Sequence, residues 1–542
     1  MNTEITAKEI GSLSSENFLK LLRHSKNHAQ INFFIHSRGF KDFSFFIHYF
    51  FPHYQEYPES IFLRNETTLF DPDAKGDWGC LCAPRGYAKS TFFALYQVVH
   101  AVVYGYKNYA LIASDTQAQS HQKVKSIWTE LVHNSRLHRV FGRFLNPKNS
   151  GAERLLCSNG KSETLIESVS ARTEIRGKRH GIHRPDLIIL DDYEHSTEVR
   201  NERIREKTEQ NFKEVFLKLG SEKTTIVVVG TVLHKQSLLS NLLDEPHWNG
   251  RFYKAVIEWA DRRDLWGEWR EIYIDTDKHP DTKTRMEVAR EFYEKNKEEM
   301  DKGTQVLWPE RFSYYSLMEE YIKLGHRAFY KELQNEPIGD ESGVFEHLYR
   351  FKEQWPILEI EHNGARIDGE RLESFMAVDF SHGDKKETST RKGDFTCVVA
   401  GLYDPRRRRL FVMEATLKRE APSKTIERIF EWHMDQEFTK IVLEANSMPL
   451  LRKVLMDTQK KRKVKLPFYL HEQTENKEAR IEAIEPWVTN RRILFNETLP
   501  EELFQQFEDF PNAGHDDAPD AVELLWSSVT GRYQVQALNT RL

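Results

Sequence analysis

The segment GCLCAPRGYAKST, residues 79–91, decides the fold of the first half of this chain. Its apolar start predicts a buried strand, and the apolar residues that follow position 91 predict a helix. Phosphate-binding loops occur at such a turn, because backbone N–H groups and the helix N-terminus bind phosphates. The usual spacing places glycines at positions 83 and 88, but both are alanine here and only Gly86 remains. A turn that leads into an ordinary helix therefore stays the alternative.

The loop and a second strand end supply a set of candidate nucleotide-binding groups. Lys89 would neutralise the β- and γ-phosphate charge, and the Ser90 hydroxyl would hold Mg²⁺. Thr231 follows the apolar run TIVVVG, where a polar group would sense the γ-phosphate unless the segment is a simple turn. The predicted nucleotide-binding residues are Arg85, Gly86, Tyr87, Ala88, Lys89, Ser90, Thr91, Asp191 and Thr231.

Two aspartates follow the apolar run LIIL, residues 187–190. Open α/β sheets present ligand-binding groups at the carboxyl ends of their strands, so Asp191 and Asp192 are expected at the same site. Asp191 would position the Mg²⁺ shell and Asp192 would orient the attacking water, with Glu194 as the alternative for the second role. A pair of solvated acids is the non-catalytic interpretation, and the lysine loop upstream argues against it.

The loop 171–184, ARTEIRGKRHGIHR, precedes these acids and is strongly basic. A guanidinium from this loop would stabilise transition-state charge, either in its own subunit or in a neighbouring one. A basic surface loop is an equally good interpretation for any single arginine. The basic residues are Arg172, Arg176, Lys178, Arg179 and Arg184.

A second set of acids lies in the C-terminal part of the chain. Asp379 stands in the run AVDF and Glu444 ends the run IVLE, and a buried carboxylate is costly unless it is paired or binds a metal. At the predicted start of the last helix, Asp517 and Asp520 are three residues apart and Asp516 and Asp520 are four apart, so either pair shares a helix face. Convergent carboxylates suit Mg²⁺ or Mn²⁺, and two such ions would clamp the oxygens of a phosphodiester during its hydrolysis. For Asp379 alone, a structural role is the alternative.

Two basic clusters are interpreted as phosphate contacts that flank this carboxylate site and position DNA without reading its sequence. Each cluster is otherwise an ordinary solvated face. The first is Arg406–Arg409, and the second comprises Arg452, Lys453, Lys460, Lys461, Arg462, Lys463 and Lys465.

The composition excludes a histone-like, DNA-coating protein but leaves nucleic acid open as a substrate. The 542 residues include 78 Lys and Arg against 83 Asp and Glu, a formal net charge of −5. Binding depends on local patches as well as on this total. No apolar run approaches the roughly 18 residues that span a bilayer, and no secretory signal is expected. The four cysteines form no CxxC pair, which favours a reducing cytoplasm.

In their order and spacing, these motifs resemble those of the large subunit of the tailed-phage terminase, the DNA-packaging motor. The resemblance covers roughly residues 40–527, and each motif alone is weak. The motifs are APRGYAKST, TEIRGKRHGIHRPDLIILDDYE, VVVGTVLH, LWPERF with GHRAFYKELQNEP, AVDFSHGD, IVLEANS, NKEARIEAIEPW and HDDAPDAVELL.

The resemblance implies an α/β protein with an N-terminal P-loop ATPase domain, of the additional-strand, RecA-like type, and a C-terminal RNase H-like nuclease domain. The expected division is a helical and aromatic extension at 1–60, the ATPase domain at 61–337, a linker region at 338–370, the nuclease domain at 371–530 and a tail at 531–542. A charged helical stretch at about 261–306 is expected as a lid or insert of the ATPase domain.

For the ATPase, the resemblance implies that Asp191 and Asp192 are the Walker B acids and that Thr231 lies in the segment coupling hydrolysis to movement. Many members have Glu where Asp192 stands, so Glu194 stays open as the water-orienting acid. Arg176 is the first choice for the arginine finger, and Arg179 competes with it.

For the nuclease, the resemblance implies that Asp379, Glu444 and Asp517 are metal ligands, with Asp520 as a fourth. Whether Asp516 or Asp520 completes the set is open. The implied cofactors are ATP and Mg²⁺, with Mn²⁺ as an alternative at the nuclease site.

The implied function is an ATP-driven motor that moves double-stranded viral DNA into a procapsid and cuts concatemers. The implied partners are double-stranded DNA, a portal protein, a small terminase subunit and further copies of the chain in a ring, often a pentamer, with no membrane involved. The implied place is the host cytoplasm, with transient docking on the procapsid. One alternative is a helicase–nuclease fusion of DNA repair, which predicts further motifs between 231 and 340. Another is a non-catalytic capsid-assembly or DNA-bridging protein, in which the acids are dispensable.

Overall fold

The computed structural model describes most of the chain. Arg172 and Arg176, two residues of the predicted arginine loop, lie outside the described set. That set is 10, 13–25, 27–144, 151, 153–160, 162–171, 173, 175, 177–195, 198–339, 342–352, 358–361, 364–367, 370–380, 395–444, 448–473, 475–532 and 536–537.

The chain divides into two compact units. The first comprises Met1–Trp259, Gly303–Glu319 and Arg327–Ile338, and the second comprises Ala260–Lys302, Glu320–His326 and Gly339–Leu542. The charged stretch predicted as an insert of the ATPase domain therefore falls largely in the second unit. The other predicted boundaries stay predictions.

Two ion pairs, of which only Arg409 is a buried member, give the local reason for this placement. Arg409 Nη1 donates to Asp277 Oδ1 at 2.7 Å, and Arg491 Nη1 lies 2.9 Å from Glu271 Oε2. Both arginines belong to the same unit as the charged stretch. The acids of this stretch thus serve as partners for buried or half-buried guanidinium groups. Acids on a fully solvated helix are not expected to have this role.

The first unit is built on a seven-stranded sheet with the order β3-β4-β2-β5-β6-β1-β7. Every neighbouring pair is parallel except β3 and β4. All residues of β2, β5 and β6 are buried, as expected for a parallel sheet covered on both faces. The strands are β1 (Trp78–Cys82), β2 (Tyr109–Ser114), β3 (Arg154–Ser158), β4 (Glu163–Ser170), β5 (Leu187–Asp191), β6 (Thr225–Gly230) and β7 (Asn249–Phe252), with β8 (Val256–Glu258) and β9 (Gln305–Val306) forming a separate pair.

The position of β6 identifies the type of sheet. It lies between β1, which leads into the lysine loop, and β5, which ends at Asp191. A strand inserted between these two is the arrangement of additional-strand P-loop ATPases. The fold predicted for the first half of the chain is confirmed.

The helices of the first unit are Ser15–His24, His28–Lys41, Phe43–Phe50, Ile61–Leu69, Val98–Tyr104, Gln117–His133, Ser135–Phe141, Glu202–Asn211, Leu217–Leu219 and Leu238–Leu243. A 3₁₀ turn spans Pro52–Tyr54, and π-helical turns span Thr91–Gln97 and Phe212–Phe216. Helices Tyr314–Leu324 and His326–Leu333 include residues of both units.

Aromatic residues of the 1–60 extension pack into the core of the first unit. The rings of Phe43 and Phe46 lie 5.2 and 4.7 Å from the ring of His100. Burial lowers the pKa of His100 to about 3, so the imidazole is neutral at physiological pH. The extension therefore contributes apolar packing to this unit.

The second unit is built on an eight-stranded mixed sheet with the order β10-β19-β16-β15-β14-β17-β18-β20. Strands β14, β15 and β16 are antiparallel neighbours, while β17 and β18 run parallel to β14. This order is that of RNase H-like domains, so the predicted fold of the second half is confirmed as well. The strands are β10 (Arg350–Phe351), β14 (Glu373–Asp379), β15 (Thr396–Asp404), β16 (Arg409–Lys418), β17 (Lys440–Glu444), β18 (Phe468–His471), β19 (Ile493–Asn496) and β20 (Gln536–Ala537), with β11 (Leu358–Glu361), β12 (Gly364–Ile367) and β13 (Glu370–Arg371) in a small separate sheet.

Both faces of this sheet are covered. Phe375 and Ala377 of β14 belong to the hydrophobic cluster on one face, and Met376 and Val378 belong to the cluster on the other, as the two-residue period of a strand requires. The helices are Arg263–Ile274, Thr282–Met300, Pro422–Gln436, Met448–Arg462, Lys477–Glu482, Glu485–Thr489, Glu501–Glu508 and Asp517–Val529. Within the described residues, no helix combines the length and apolar character needed to cross a bilayer.

Candidate functional site

The lysine loop adopts positive φ angles at two positions. Gly86 has φ 84° and Ala88 has φ 64°. A side chain in the left-handed region costs about 1–2 kcal/mol, so Ala88 is held there by its surroundings. Such strain persists mainly at functional loops. Ala88 stands where the usual pattern has glycine. Its backbone nevertheless keeps the left-handed conformation that a glycine would adopt.

The predicted phosphate-binding residues meet at the carboxyl edge of the first sheet. Lys89 is 6% exposed, and its Nζ donates to Thr231 Oγ1 at 3.0 Å. The Ser90 hydroxyl donates to Asp191 Oδ1 at 3.0 Å, and Asp191 is fully buried. This is the juxtaposition of lysine, hydroxyl and strand-end acid that the sequence predicts for a nucleotide site.

The two candidates for the water-orienting acid have different surroundings. Asp192 is exposed and faces the cleft, with a φ of 49°. Glu194 instead accepts hydrogen bonds from the backbone N–H groups of Leu238 at 2.8 Å and Leu239 at 3.3 Å. These donors belong to the first turn of the helix Leu238–Leu243, so the Glu194 carboxylate serves as a helix cap. Both acids line the smaller cavity beside the loop, but only Asp192 also lines the larger one.

Two neighbouring cavities surround the loop. One has a volume of about 390 Å³ and the other about 240 Å³, and Arg85, Lys89 and Asp192 line both. Gly86, Ala88, Ser90 and Thr91 also line the larger cavity. Tyr87 lines neither: it is fully buried and stacks on Phe312 with ring centroids 4.8 Å apart. The two cavities form one cleft that follows the loop.

The far end of the larger cavity is aromatic and is contributed partly by the 1–60 extension. Tyr54, Tyr57 and Trp308 line it, and the Arg311 guanidinium lies 5.1 Å from the Trp308 ring centroid. The side-chain Nε2 of Gln55 is buried there without a hydrogen-bond partner. Flat aromatic surfaces and one unsatisfied amide suit a planar, hydrogen-bonding ring such as a nucleobase.

Lys123 is a site residue that sequence reasoning missed. It lies on the helix Gln117–His133, and its Nζ is 2.8 Å from Asp191 Oδ2. In the sequence, Lys123 is marked only by its place on the helix that follows β2. A lysine on such a helix is too common to be singled out as a site residue. The aromatic wall of the cleft was missed for the same reason, since its members come from distant parts of the chain.

The arginine loop is only partly described. Arg176, the first choice for the arginine finger, lies outside the described residues. Arg179 is exposed and is not among the residues that line either cavity. Lys178 is paired with Glu167 at 2.5 Å, and Arg184 donates to the carbonyl of Gly220 at 3.3 Å. Within this chain, the described part of the loop places no guanidinium in the cleft.

The second site lies at one end of the RNase H-like sheet. Asp379 ends β14, Glu444 ends the adjacent parallel strand β17, and Asp520 lies in the first turn of the helix Asp517–Val529. One carboxylate oxygen from each of the three lies within 4.8 Å of the others. An all-oxygen donor set of this kind fits Mg²⁺ or Mn²⁺.

Asp517 and Asp516 are used differently from Asp520. The Asp517 carboxylate accepts from the backbone N–H of Phe395 at 3.2 Å, and it is not part of the group of three. Asp516 pairs with Lys477 at 2.8 Å. Asp520 thus joins Asp379 and Glu444 in the group of three, and Asp517, which is buried as well, stays a predicted ligand.

Two cations balance this acidic cluster. Lys477 Nζ lies 3.3 Å from Asp520 Oδ2, and Arg480 Nη1 lies 2.9 Å from Asp520 Oδ1 and 2.7 Å from Glu523. Burial, and then repulsion from Asp520, raises the pKa of Asp379 well above its usual range. The nearby carboxylates Asp520 and Asp516 raise the pKa of Lys477 against the effect of burial. The site is thus a buried excess of negative charge that a divalent cation would relieve.

The predicted position of the basic clusters is wrong for the hairpin turn and for Lys460–Lys465. In the β14–β15 pair, Asp379 lies opposite Cys397 whereas Glu373 lies opposite Tyr403. The turn 405–408 is therefore at the other end of the sheet from the carboxylates, about 20 Å away at roughly 3.3 Å per residue. The residues Lys460–Lys465 are also remote, because β18 runs parallel to β17 and Lys465 precedes its first residue. Arg452 and Lys453 instead belong to the beginning of the helix Met448–Arg462, which follows Glu444, so for these two residues the predicted position stays a prediction.

The turn itself is also less exposed than predicted. Arg407 and Arg409 are each 4% exposed, and Arg407 pairs with Asp404 at 2.9 Å. Arg406 and Arg408 are exposed. A tight turn alternates the direction of successive side chains, so only half of the cluster faces solvent.

Comparison with known proteins yields structural neighbours. No protein-family model matches the chain, and no curated protein sequence matches it. The large terminase of a thermophilic bacteriophage matches with 9% identity and a TM-score of 0.46, over 88% of this chain and 100% of that one. The HK97 bacteriophage large terminase matches with 13% identity and a TM-score of 0.32, over 89% and 98%. The P22 large terminase nuclease domain matches with 11% identity and a TM-score of 0.25, over 35% and 93%.

These structures belong to the family that the sequence motifs resemble. At these identities and TM-scores the likeness carries no argument about this chain. Residue roles in this chain therefore depend on its own geometry.

Proposed function

We propose that this chain is a terminase large subunit, which uses ATP hydrolysis to move double-stranded viral DNA into a procapsid and cuts concatemers with a metal-dependent nuclease. The observation that carries the proposal is that one chain contains both sites. A lysine loop with Ser90 against a buried Asp191 lies in the first unit, and a cluster of three carboxylates lies in the RNase H-like second unit.

In the proposed ATPase, the loop backbone and Lys89 bind the phosphates and Ser90 holds Mg²⁺. Bound Mg²⁺ would supply charge neutralisation at the β- and γ-phosphates. Asp192 orients and deprotonates the attacking water, while Glu194 holds the adjacent helix. The aromatic end of the larger cavity binds adenine, with the free Gln55 amide as its hydrogen-bonding group. Arg176 of a neighbouring subunit stays the proposed arginine finger. Thr231, which accepts a hydrogen bond from Lys89, would couple ATP hydrolysis to movement.

In the proposed nuclease, Asp379, Glu444 and Asp520 hold Mg²⁺ or Mn²⁺, with Asp517 close behind them. The metal would supply a positive charge to the scissile phosphate and an activated water. Each oxygen of Asp520 has a cationic neighbour, Arg480 at 2.9 Å from Oδ1 and Lys477 at 3.3 Å from Oδ2, which together hold this carboxylate in place. Lys477 is half-buried and bridges Asp516 and Asp520, so its charge is available to a phosphate oxygen.

The proposed partners are double-stranded DNA, a portal protein, a small terminase subunit and further copies of the chain in a ring of five. The proposed place of action is the host cytoplasm, with transient docking on the procapsid. The exposed residues Arg406 and Arg408 and the segment Lys460–Lys465 would contact DNA at the end of the sheet away from the nuclease site, which separates holding DNA from cutting it.

Paired variants test the proposal. Lys89→Ala should abolish ATP turnover and leave Mn²⁺-dependent plasmid cleavage, because the loop and the carboxylates belong to different units. Asp379→Ala should abolish cleavage and leave ATP turnover. Lys125→Ala and Asp457→Asn, at exposed positions outside both sites, serve as matched controls.

Each half of the proposal has its own refuting result. Full ATP turnover in Lys89→Ala would remove the nucleotide-site assignment. Full cleavage in Asp379→Ala would remove the nuclease assignment. DNA-stimulated ATP turnover with no cleavage of any DNA by the wild-type chain would favour a translocase without nuclease activity.

A further inference from the structure

Lys123 occupies a position behind the proposed nucleotide site that no sequence motif indicated. Its Nζ lies 2.8 Å from Asp191 Oδ2, and it donates to the Asp191 carbonyl at 3.0 Å and to Ser114 Oγ at 2.7 Å. Ser114 ends β2 and Asp191 ends β5, and these strands are neighbours in the sheet. One ammonium group therefore joins two strand ends directly beneath the loop.

The Asp191 carboxylate needs such a partner. It is 0% exposed, and a buried carboxylate without a counter-charge is strongly unfavourable. Lys89, the other cation of the site, contacts Thr231 at 3.0 Å. Among the described residues, the ion pair to Asp191 comes from Lys123.

The two oxygens of Asp191 have different partners. Oδ2 faces Lys123, and Oδ1 accepts the hydrogen of the Ser90 hydroxyl at 3.0 Å. A hydroxyl that has donated its hydrogen presents only lone pairs to anything else nearby. By holding the carboxylate group in one orientation, Lys123 keeps an oxygen opposite the Ser90 hydroxyl and so directs the Ser90 lone pairs.

We infer that Lys123 is a positioning residue of the nucleotide site, which holds the Asp191 carboxylate so that the Ser90 hydroxyl is oriented as a ligand for the Mg²⁺ that accompanies ATP. This inference rests on the proposed ATPase function. Lys123 touches no nucleotide-binding surface: it is absent from the linings of both cavities around the loop. Its effect is therefore expected on the contribution of Mg²⁺ and not on the contacts to base or phosphate.

The test compares nucleotide binding with and without Mg²⁺. Affinity of the full-length chain for a fluorescent ATP analogue is measured in Mg²⁺ and in EDTA, and the ratio of the two dissociation constants gives the Mg²⁺ enhancement. Lys123→Met keeps the length of the side chain but removes its charge. It should reduce the enhancement about tenfold, the size of one charged hydrogen bond, and leave the affinity in EDTA within about twofold of wild type. Lys123→Arg should restore part of the enhancement, and Lys125→Met, on the exposed face of the same helix, should have no effect.

The outcomes separate this inference from the proposed function. An unchanged Mg²⁺ enhancement in Lys123→Met overturns the inference, and so does an equal loss of affinity with and without Mg²⁺, which would indicate a purely structural role. Failure of the wild-type chain to bind ATP would instead overturn the proposed function. If Lys123→Met does not fold, Ser114→Ala removes one acceptor of the ammonium group. A selective reduction of the enhancement in that variant supports the inference, and an unchanged enhancement overturns it.

Discussion

Neutralising Asp379 should stabilise the metal-free protein while it destroys metal binding. The substitution Asp379→Asn keeps the size and shape of the side chain and removes one of three carboxylates whose oxygens lie within 4.8 Å of one another. It therefore removes repulsion from Glu444 and Asp520 in a site that is largely shielded from water. A carboxylate retained against such repulsion is typical of a binding site.

The expected size follows from this geometry. Two unit charges 4.8 Å apart repel by about 3.5 kcal/mol at an effective dielectric constant of about 20. Asp379 faces two such neighbours, and Lys477 and Arg480 offset much of the sum. We expect Asp379→Asn to raise the free energy of unfolding by about 2 kcal/mol, or the Tm of the second unit by about 4–8 °C.

The pH dependence has a definite sign. The pKa of Asp379 is raised in the folded protein, by burial first and then by Asp520. Its destabilising effect is therefore present above the folded pKa and is relieved as the pH falls through that value, where the carboxyl group becomes neutral. The stability difference between the wild-type protein and Asp379→Asn should accordingly shrink as the buffer becomes more acidic.

Thermal unfolding of the full-length chain, in EDTA and in Mn²⁺, checks these expectations. Mn²⁺ at 100 times its dissociation constant should stabilise the wild-type protein by about 2.7 kcal/mol and leave Asp379→Asn unchanged. Asp516→Asn is the matched control: its carboxylate pairs with Lys477 at 2.8 Å, so its neutralisation should bring no stabilisation. A lower Tm for Asp379→Asn in EDTA, or a full Mn²⁺ shift in that variant, would refute the electrostatic reasoning.

Three further predictions concern other parts of the chain. Ala88→Gly should raise the free energy of unfolding by about 0.5 kcal/mol, since relief of the left-handed φ outweighs the added freedom of the unfolded chain, and a loss of stability in chemical denaturation would contradict it. Asp277→Asn should lower the stability by about 1–2 kcal/mol because it leaves the buried Arg409 without its carboxylate, and an unaltered melting curve would count against that ion pair. Asp192→Asn should retain ATP binding and lose turnover. Glu194→Gln should mainly lower thermal stability, and the reverse result in steady-state ATPase assays would exchange the two roles.

Local sequence signals were sufficient for the secondary structure around both sites. The run TIVVVG coincides with β6, LIIL lies within β5, and IVLE lies within β17. These segments are continuous apolar runs, which are typical of buried strands. Short-range physics determines such elements, so a single sequence is enough to find them.

Strand direction and register are not local, and the prediction that depended on them was wrong. Arg406–Arg409 and Lys460–Lys465 are basic in any fold, but whether they lie beside Asp379 depends on which strand ends meet. The antiparallel β14–β15 pair and the parallel β17–β18 pair place the hairpin turn and Lys460–Lys465 at the opposite end. Pairing of distant strands is a property of the whole sheet.

The sequence by itself determined the two α/β folds, the lysine loop and the acids at strand ends, because these are properties of neighbouring residues. Only the tertiary structure decided which groups meet. It placed Asp520 with Asp379 and Glu444, used Glu194 as a helix cap, and brought Lys123 from another helix to the back of Asp191. The physical reason is that burying a charge requires a partner within a few ångströms, and that partner comes from whichever segment the fold has packed there.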